Sequence, residues 1–290
     1  MSRPPRITPA EADLAYAAAQ RVVDVHRHLS KFVRIGMTLA QVDAECGRVL
    51  KELDCRSCFI GYRQGSLPPF PNHACLSLND CVVHGTAAYH TAPLAQGDLL
   101  KIDIGVIYRG WIGDAAWTYS LGEPSAQVKK LMTCGKESLK RGIPTLKPGN
   151  LYMAWAKAVQ QYVERECGFH LVRGLGGHGY GRSLHAEPYV SNVVPVYDAE
   201  WPDGIRPCTP GTLVAVEPMI AIGTGETIAG DEVPGRKNAA RVGRMKSVDA
   251  WPIISADRSM SVHYEADVLI TENGPRDLTE GMSELPDVVG

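Results

Sequence analysis

The sequence predicts an α+β chain in which helices flank antiparallel sheet, built as two halves of like plan. Three observations carry this. A helix, a glycine stop, a second capped helix and a set of strands occur twice, at a period of about 110 residues, far longer than a solenoid repeat. Two long apolar runs, Leu99–Tyr108 and Trp111–Leu121, flank Arg109-Gly110, the spacing of a hairpin. The 290 residues contain no Gly/Ser- or Pro-rich linker between the halves, which favours one large domain over two small ones. Residues 1–7 read as a tail and residues 8–290 as a single domain with pseudo-twofold halves, about 8–122 and 123–280.

The first helix opens at Thr8-Pro9-Ala10-Glu11: an N-cap, a proline at the first helical position and the glutamate of a capping box. An Ala- and Val-rich stretch carries it to about Val33, and Gly36 stops it. Thr38 caps a second helix to about Leu53. Strand-like runs follow at Ser57–Tyr62 and Cys75–Val83, ahead of the hairpin. The second half repeats the plan. A helix runs from Ser125 to about Arg141, Lys147-Pro148-Gly149 breaks it, and Asn150 caps the next to about Glu166. Strand-like runs return at His170–Gly174, Leu213–Ile222 and His263–Thr271. Residues 223–244, rich in glycine, charge and turn formers, read as an exposed excursion between strands.

The bulk chemistry excludes several functions. A formal net charge of −2 with no long run of one sign argues against a nucleic-acid grip and against a basic membrane face. No apolar h-region follows Met1-Ser2-Arg3-Pro4-Pro5-Arg6, and no stretch approaches a membrane span, so a cytoplasmic chain is expected. A monomer is the expected state, though nothing in the sequence determines it. The eight cysteines are scattered through the chain, a pattern of reduced thiols rather than of a disulfide framework. Cys55 and Cys58 form a lone C-x-x-C with no second pair at zinc-finger spacing.

The candidate chemistry lies in five acidic or imidazole residues. Asp103 and Asp114 sit almost symmetrically about the hairpin turn, in otherwise apolar strands. Residues opposite each other in such a pair share a face. Two bare carboxylates that close repel, and a cation between them removes the cost. A solvent-facing aspartate explains the pair equally well. His178 lies in Gly174-Leu175-Gly176-Gly177-His178-Gly179-Tyr180-Gly181. The literal G-x-G-x-x-G there opens no helix, so a dinucleotide loop is the weaker reading. Glycines crowding a histidine let the backbone pass close to something bulky or ionic. His185, seven residues on in an extended segment, can point into the same cavity. Glu217 and Glu265 each sit inside apolar strand-like runs, an expensive position unless paired or metal-bound. Two Asp, two Glu and one His form a hard, oxygen-rich set that suits a pair of divalent first-row metals.

Six separated motifs, from Cys75–Gly85 through Lys101–Gly105, Gly113-Asp114, Gly177–Pro188 and Val216–Met219 to Tyr264-Glu265, resemble the methionine aminopeptidases in order and spacing. The likeness runs from about Thr8 to the end. It implies the pita-bread fold and a metallo-exopeptidase that removes the initiator methionine from nascent polypeptides, met at the ribosome. It implies two divalent ions (Co, Mn, Fe or Zn) on Asp103, Asp114, His178, Glu217 and Glu265, with Asp114 and Glu265 bridging. In that family the two metals share a water, whose hydroxide attacks the first peptide carbonyl, and one metal holds the free α-amino group. His84 and His185 match the histidines that contact substrate, His185 offsetting the developing oxyanion, and Glu217 matches a proton shuttle. Tyr62, Phe70, Cys75, Leu184 and Trp251 match the methionine side-chain pocket.

The sequence departs from the family in three places. A longer stretch, residues 63–69, separates Tyr62 from Phe70-Pro71. Leu184 and Ala186 stand where bacterial relatives usually have Phe and Glu. Residues 223–244 are longer than usual. Two other readings compete. Aminopeptidase P and prolidase share the ligands but usually carry an extra N-terminal domain, whereas seven residues precede the first helix here. A non-catalytic binding module of the same fold would be marked by loss of ligands, and all five are present.

Overall fold

In the computed structural model, residues 6–235 and 247–290 are described. The first half opens with α1 (Pro9–Phe32) and α2 (Leu39–Glu52). Both are closed at their N-termini by the capping boxes read from the sequence, Thr8 with Glu11 and Thr38 with Gln41. Then come β1 (Arg56–Ser57), β2 (Cys75–Leu78), β3 (Cys81–Val83), β4 (Leu99–Tyr108) and β5 (Trp111–Leu121). The second half has α3 (Ala126–Gly142), α4 (Met153–Gln160) continued by a wider turn to Glu166, and the strands β6 (His170–Leu171), β7 (Gly176–Gly179), β8 (Ala186–Ser191), β9 (Leu213–Val216) and β10 (Met219–Ala221). It ends with β11 (Thr227–Ala229), β12 (Ile253–Ser255), β13 (Ser261–His263), β14 (Ala266–Thr271), β15 (Gly274–Asp277) and β16 (Val288–Val289).

The β4–β5 hairpin forms as expected, in register from Leu99–Ser120 to Tyr108–Trp111. Its turn residues Arg109 and Gly110 both take positive φ, 50° and 79°, the conformation that matches a two-residue turn to strand twist. Around it lie β1, β2 and β16. A second sheet runs β15-β14-β9-β7-β8, and two three-stranded sheets, β13-β10-β6 and β11-β12-β3, complete the β structure among the described residues. One apolar core draws on both halves: Val22 and Leu29 of α1, Ile102 of β4, Leu131 of α3, Trp155 of α4 and Val268 of β14 all belong to it.

Several expected elements differ. The run Ser57–Tyr62 is strand only at its start, because Phe59 and Ile60 turn back onto the Ser57 hydroxyl. Cys75–Val83 divides at Asn79, whose left-handed φ of 55° breaks the run. The fourth helix starts at Met153 rather than behind Asn150, whose side-chain amide instead donates to the Thr145 carbonyl. His170–Gly174 is strand for two residues only. Leu213–Ile222 and His263–Thr271 each break once, at Glu217-Pro218 and at Tyr264-Glu265. On one side of the breaks β9 pairs with β14, and on the other β10 pairs with β13, so both chains change sheet at the glutamates. Of the excursion expected over residues 223–244, β11 and a short 3₁₀ turn at Gly230–Glu232 are described, and residues 236–244 lie outside the described residues.

Candidate active site

The hairpin supplies two carboxylates. Asp103 faces Ala116 across the ladder and Asp114 faces Gly105. The two are therefore diagonal neighbours on one face, not the directly opposed pair expected from the sequence. On its other flank Asp103 is opposite Cys75 of β2. Both aspartates are buried, and Asp103 Oδ1 and Asp114 Oδ1 have no hydrogen-bond partner.

The breaks in the two long strands supply the glutamates. Proline 218 has no N–H to give a ladder, so β9 ends at Val216 and Glu217 turns out of the sheet. Glu265 is anchored by its own N–H, which donates to the Ala116 carbonyl at 2.9 Å. The same seam is closed by Asp114 N–H on the Asp267 carboxylate, 2.8 Å, and by Thr118 Oγ1 on the His263 carbonyl, 2.8 Å. The two carboxylate-bearing sheets are thus fixed to each other at the site.

His178 is on β7, a strand the sequence hides behind its glycines. They are required there: a Cβ on Gly177 would lie 2.1 Å from the Ala215 carbonyl of β9. The His178 Nδ1 lies 3.1 Å from the Gly179 carbonyl. A carbonyl only accepts, so Nδ1 carries the proton and Nε2 presents its lone pair. That Nε2 is 3.9 Å from Asp114 Oδ2 and 3.9 Å from Glu217 Oε1. These are long for hydrogen bonds, but two donors each ~2.0–2.2 Å from one ion lie about 3–4 Å apart. Donor atoms of Asp114, His178 and Glu265 all fall within 4.8 Å of one another.

The electrostatics point the same way. Burial pushes Asp103 up to about 7 and Glu217 up to about 8. Burial and the surrounding acids hold Asp114 and Glu265 well above the usual carboxylate range. Burial also pushes His178 down to about 3, and lowers His185. Four desolvated carboxylates and a neutral imidazole with its lone pair inward are a donor set that divalent cation charge stabilises. Orphaned carboxylate oxygens and oxygen-rich chemistry both fit such an ion.

One cavity of about 100 Å³ gathers these residues. Asp103, Asp114, His178, Glu217 and Glu265 line it together with Tyr62, Phe70, Cys75, Leu184 and Trp251. His84 and His185 line it too. Phe70 and Trp251 meet edge to face at 5.2 Å, and the Trp251 indole N–H donates to the Pro68 carbonyl at 2.8 Å. His84 takes a left-handed φ of 55°, unusual for a residue with a Cβ. Its ring lies edge-on to Trp251, with centroids 6.1 Å apart. Burial pushes its imidazole down to about 4. His185 packs 4.4 Å from the His178 ring, with its Nδ1 2.7 Å from the Tyr62 hydroxyl.

Sequence reasoning missed four residues here. Phe59 and Gln64 also line the cavity. His263 Nε2 donates to Glu217 Oε2 at 3.2 Å, leaving Oε1 toward His178. Asp267, fully buried, holds the Asp114 backbone. The period-two spacing of His263, Glu265 and Asp267 was the available signal.

Fold and site together define a metallopeptidase: the model of metallopeptidase family M24 matches residues 13–272, and the chain belongs to that family, in its methionine aminopeptidase branch. It is 32% identical over 268 residues to the methionine aminopeptidase of Aquifex aeolicus, covering 91% of this chain and 93% of that one. With methionine aminopeptidase 1 of Mycobacterium tuberculosis it shares 32% over 283 residues, 96% and 95% of the two chains. The crystal structure of the Thermotoga maritima methionine aminopeptidase superposes with a TM-score of 0.81 at 29% identity, over 96% of this chain and 99% of that one. An X-Pro aminopeptidase from the same organism shares the fold at a TM-score of 0.68 and 18% identity, over 98% of this chain and 63% of its own. The fold is the pita-bread fold, and the chain is a metal-using aminopeptidase, a hydrolase. Among the described residues no helix is long and apolar enough to cross a membrane.

Proposed function

We propose that this chain removes the N-terminal methionine of nascent polypeptides, using two divalent ions held by Asp103, Asp114, His178, Glu217 and Glu265. The observation that carries the reading is the donor cluster of Asp114, His178 and Glu265 within 4.8 Å, in a cavity that Asp103 and Glu217 also line. Asp114 and Glu265, both buried with carboxyls held well above the usual range, would hold the ions together with Asp103, His178 and Glu217. Mn, Fe, Co and Zn all suit this donor set. When bound, such ions lower the pKa of water to near neutrality and polarise a carbonyl.

The rest is done by the chain. Tyr62, Phe70, Cys75, Leu184 and Trp251 offer an apolar, soft wall to an unbranched thioether side chain. With the first side chain against that wall, the first carbonyl would lie beside the carboxylates. His185, neutral because burial lowers its pKa, donates from Nε2 to the carbonyl oxygen as charge develops there. His84 hydrogen-bonds the scissile amide. Glu217, oriented by His263, takes a proton and delivers it to the leaving nitrogen. All eight cysteines are free thiols, which fits a reducing compartment, the cytoplasm where nascent chains emerge.

The test is a panel of Met-Ala-Ser, Met-Leu-Ser and Ala-Pro-Ala with metal-loaded protein. Methionine should be released from Met-Ala-Ser and nothing from Ala-Pro-Ala. Cleavage of Ala-Pro-Ala alone would assign the X-Pro activity of the more distant relatives instead.

A further inference from the structure

We propose that Gln64, carried on residues 63–69, is a substrate-positioning residue that binds the peptide backbone just beyond the scissile bond. The inference rests on the aminopeptidase reading above and concerns the part of the substrate that leaves.

Two cavities meet at the site. The first holds the aromatic wall and the five candidate ligands. The second, about 330 Å³, is lined by Val83, Leu175, Ala186, Tyr189 and Met219 among others. Both share His84, His178, His185 and Glu217, and both share Gln64. With the first side chain in the aromatic cavity and its carbonyl at the carboxylates, the chain from residue two onward has the second cavity as its way out. Gln64 stands where the two join, at the second residue of the substrate.

The loop that carries it is fixed. Phe70 N–H donates to the Tyr62 carbonyl and Gly61 N–H to the Phe70 carbonyl, both at 2.8 Å, which closes its base. Leu67 N–H on the Gln64 carbonyl, 3.0 Å, closes a turn inside it. Trp251, from the other half of the chain, clamps Pro68 through its indole N–H at 2.8 Å. The residue preceding Gln64 by two is Tyr62, whose hydroxyl is on His185. Gln64 is thus delivered to the junction on an anchored backbone. Among the described residues its amide makes no hydrogen bond to the protein, so both of its groups are free for substrate. A primary amide presents donor and acceptor together, the complement of a peptide C=O and N–H. Such a contact recognises backbone, so it serves any second residue that fits.

Gln64→Met keeps length and volume and removes both hydrogen-bonding groups. The measurement is kcat/KM for Met-Ala-Ser beside the inhibition constant of free methionine, which reaches only the first cavity, both with metal-loaded protein. The expected result is a fall of about 5- to 150-fold in kcat/KM, the worth of two hydrogen bonds, with the methionine constant unchanged. An unchanged kcat/KM, or equal losses in both measurements, overturns the assignment. A native protein that releases no methionine from Met-Ala-Ser fails at the earlier step and overturns the aminopeptidase reading itself.

Discussion

Tyr62 was expected only as a wall of the methionine pocket, yet its hydroxyl lies 2.7 Å from His185 Nδ1. Burial lowers the pKa of His185 and raises that of Tyr62, so at neutral pH the imidazole is neutral and the phenol keeps its proton. A neutral imidazole has one donor and one acceptor nitrogen. With the Tyr62 O–H donating to Nδ1, Nε2 carries the proton and, on the proposed mechanism, would serve the substrate carbonyl. Tyr62→Phe removes one hydrogen bond, net about 0.5–1.5 kcal/mol, or about 2- to 12-fold in kcat/KM. His185→Ala would remove the proposed oxyanion donor itself, worth about 10²- to 10³-fold. Because Tyr62 acts through His185, the two should not add: in the His185→Ala background, Tyr62→Phe should cost nothing. The assay is kcat/KM for Met-Ala-Ser in the native protein, both single variants and the double variant, with metal content checked in each. An equal loss from Tyr62→Phe in both backgrounds would show that Tyr62 meets the substrate directly. Loss of metal in His185→Ala would make His185 a ligand.

Two further outcomes follow from the site. In chelator-stripped protein Asp103, at about 7, and Glu217, at about 8, sit far above an unfolded carboxylate, so the folded state binds the extra protons and stability falls as pH rises toward 8. The buried His178 and His263, held down to about 3 and about 4, act in the opposite sense, but only up to their unfolded pKa of about 6.5. Between about pH 7 and 8.5 the stripped protein should therefore lose Tm, and added Mn should raise Tm more at the upper pH; a stripped protein that gains Tm across that window contradicts the carboxylate cluster. Leu184→Phe should sharpen discrimination between Met-Ala-Ser and Leu-Ala-Ser, because a methylene-scale difference in room is worth about 1–3 kcal/mol; an unchanged kcat/KM ratio would remove Leu184 from the gate, and a native preference for Leu-Ala-Ser would refute the methionine pocket.

What the sequence disclosed was what local chemistry decides. Thr8 with Glu11 and Thr38 with Gln41 are caps made by residues three apart, and both form. The hairpin turn is set by Arg109-Gly110, and both strands end where their composition says. What stayed hidden was decided by distant partners. Asp103 and Asp114 share a face, but the turn fixes the register so that their ladder partners are Ala116 and Gly105. The break at Glu217 is marked in the sequence by Pro218, but the break at Glu265 is not: it arises because β13 and β14 pair into different sheets, which no window along one strand reveals. The His178 strand was masked because its glycines, needed for the approach of Ala215, are poor strand formers. Asn150 illustrates the reverse case: a good cap by type, spent instead on Thr145.

The clustered carboxylates and His178 are proposed to hold metal without which the peptide bond is not cut. The direct measurement is the initial rate of methionine release from Met-Ala-Ser by chelator-stripped protein as Mn is added back, with bound metal followed in the same titration. The expected rate is at background without metal and rises with occupancy toward two ions per chain. A full rate in protein shown to contain no metal would contradict it.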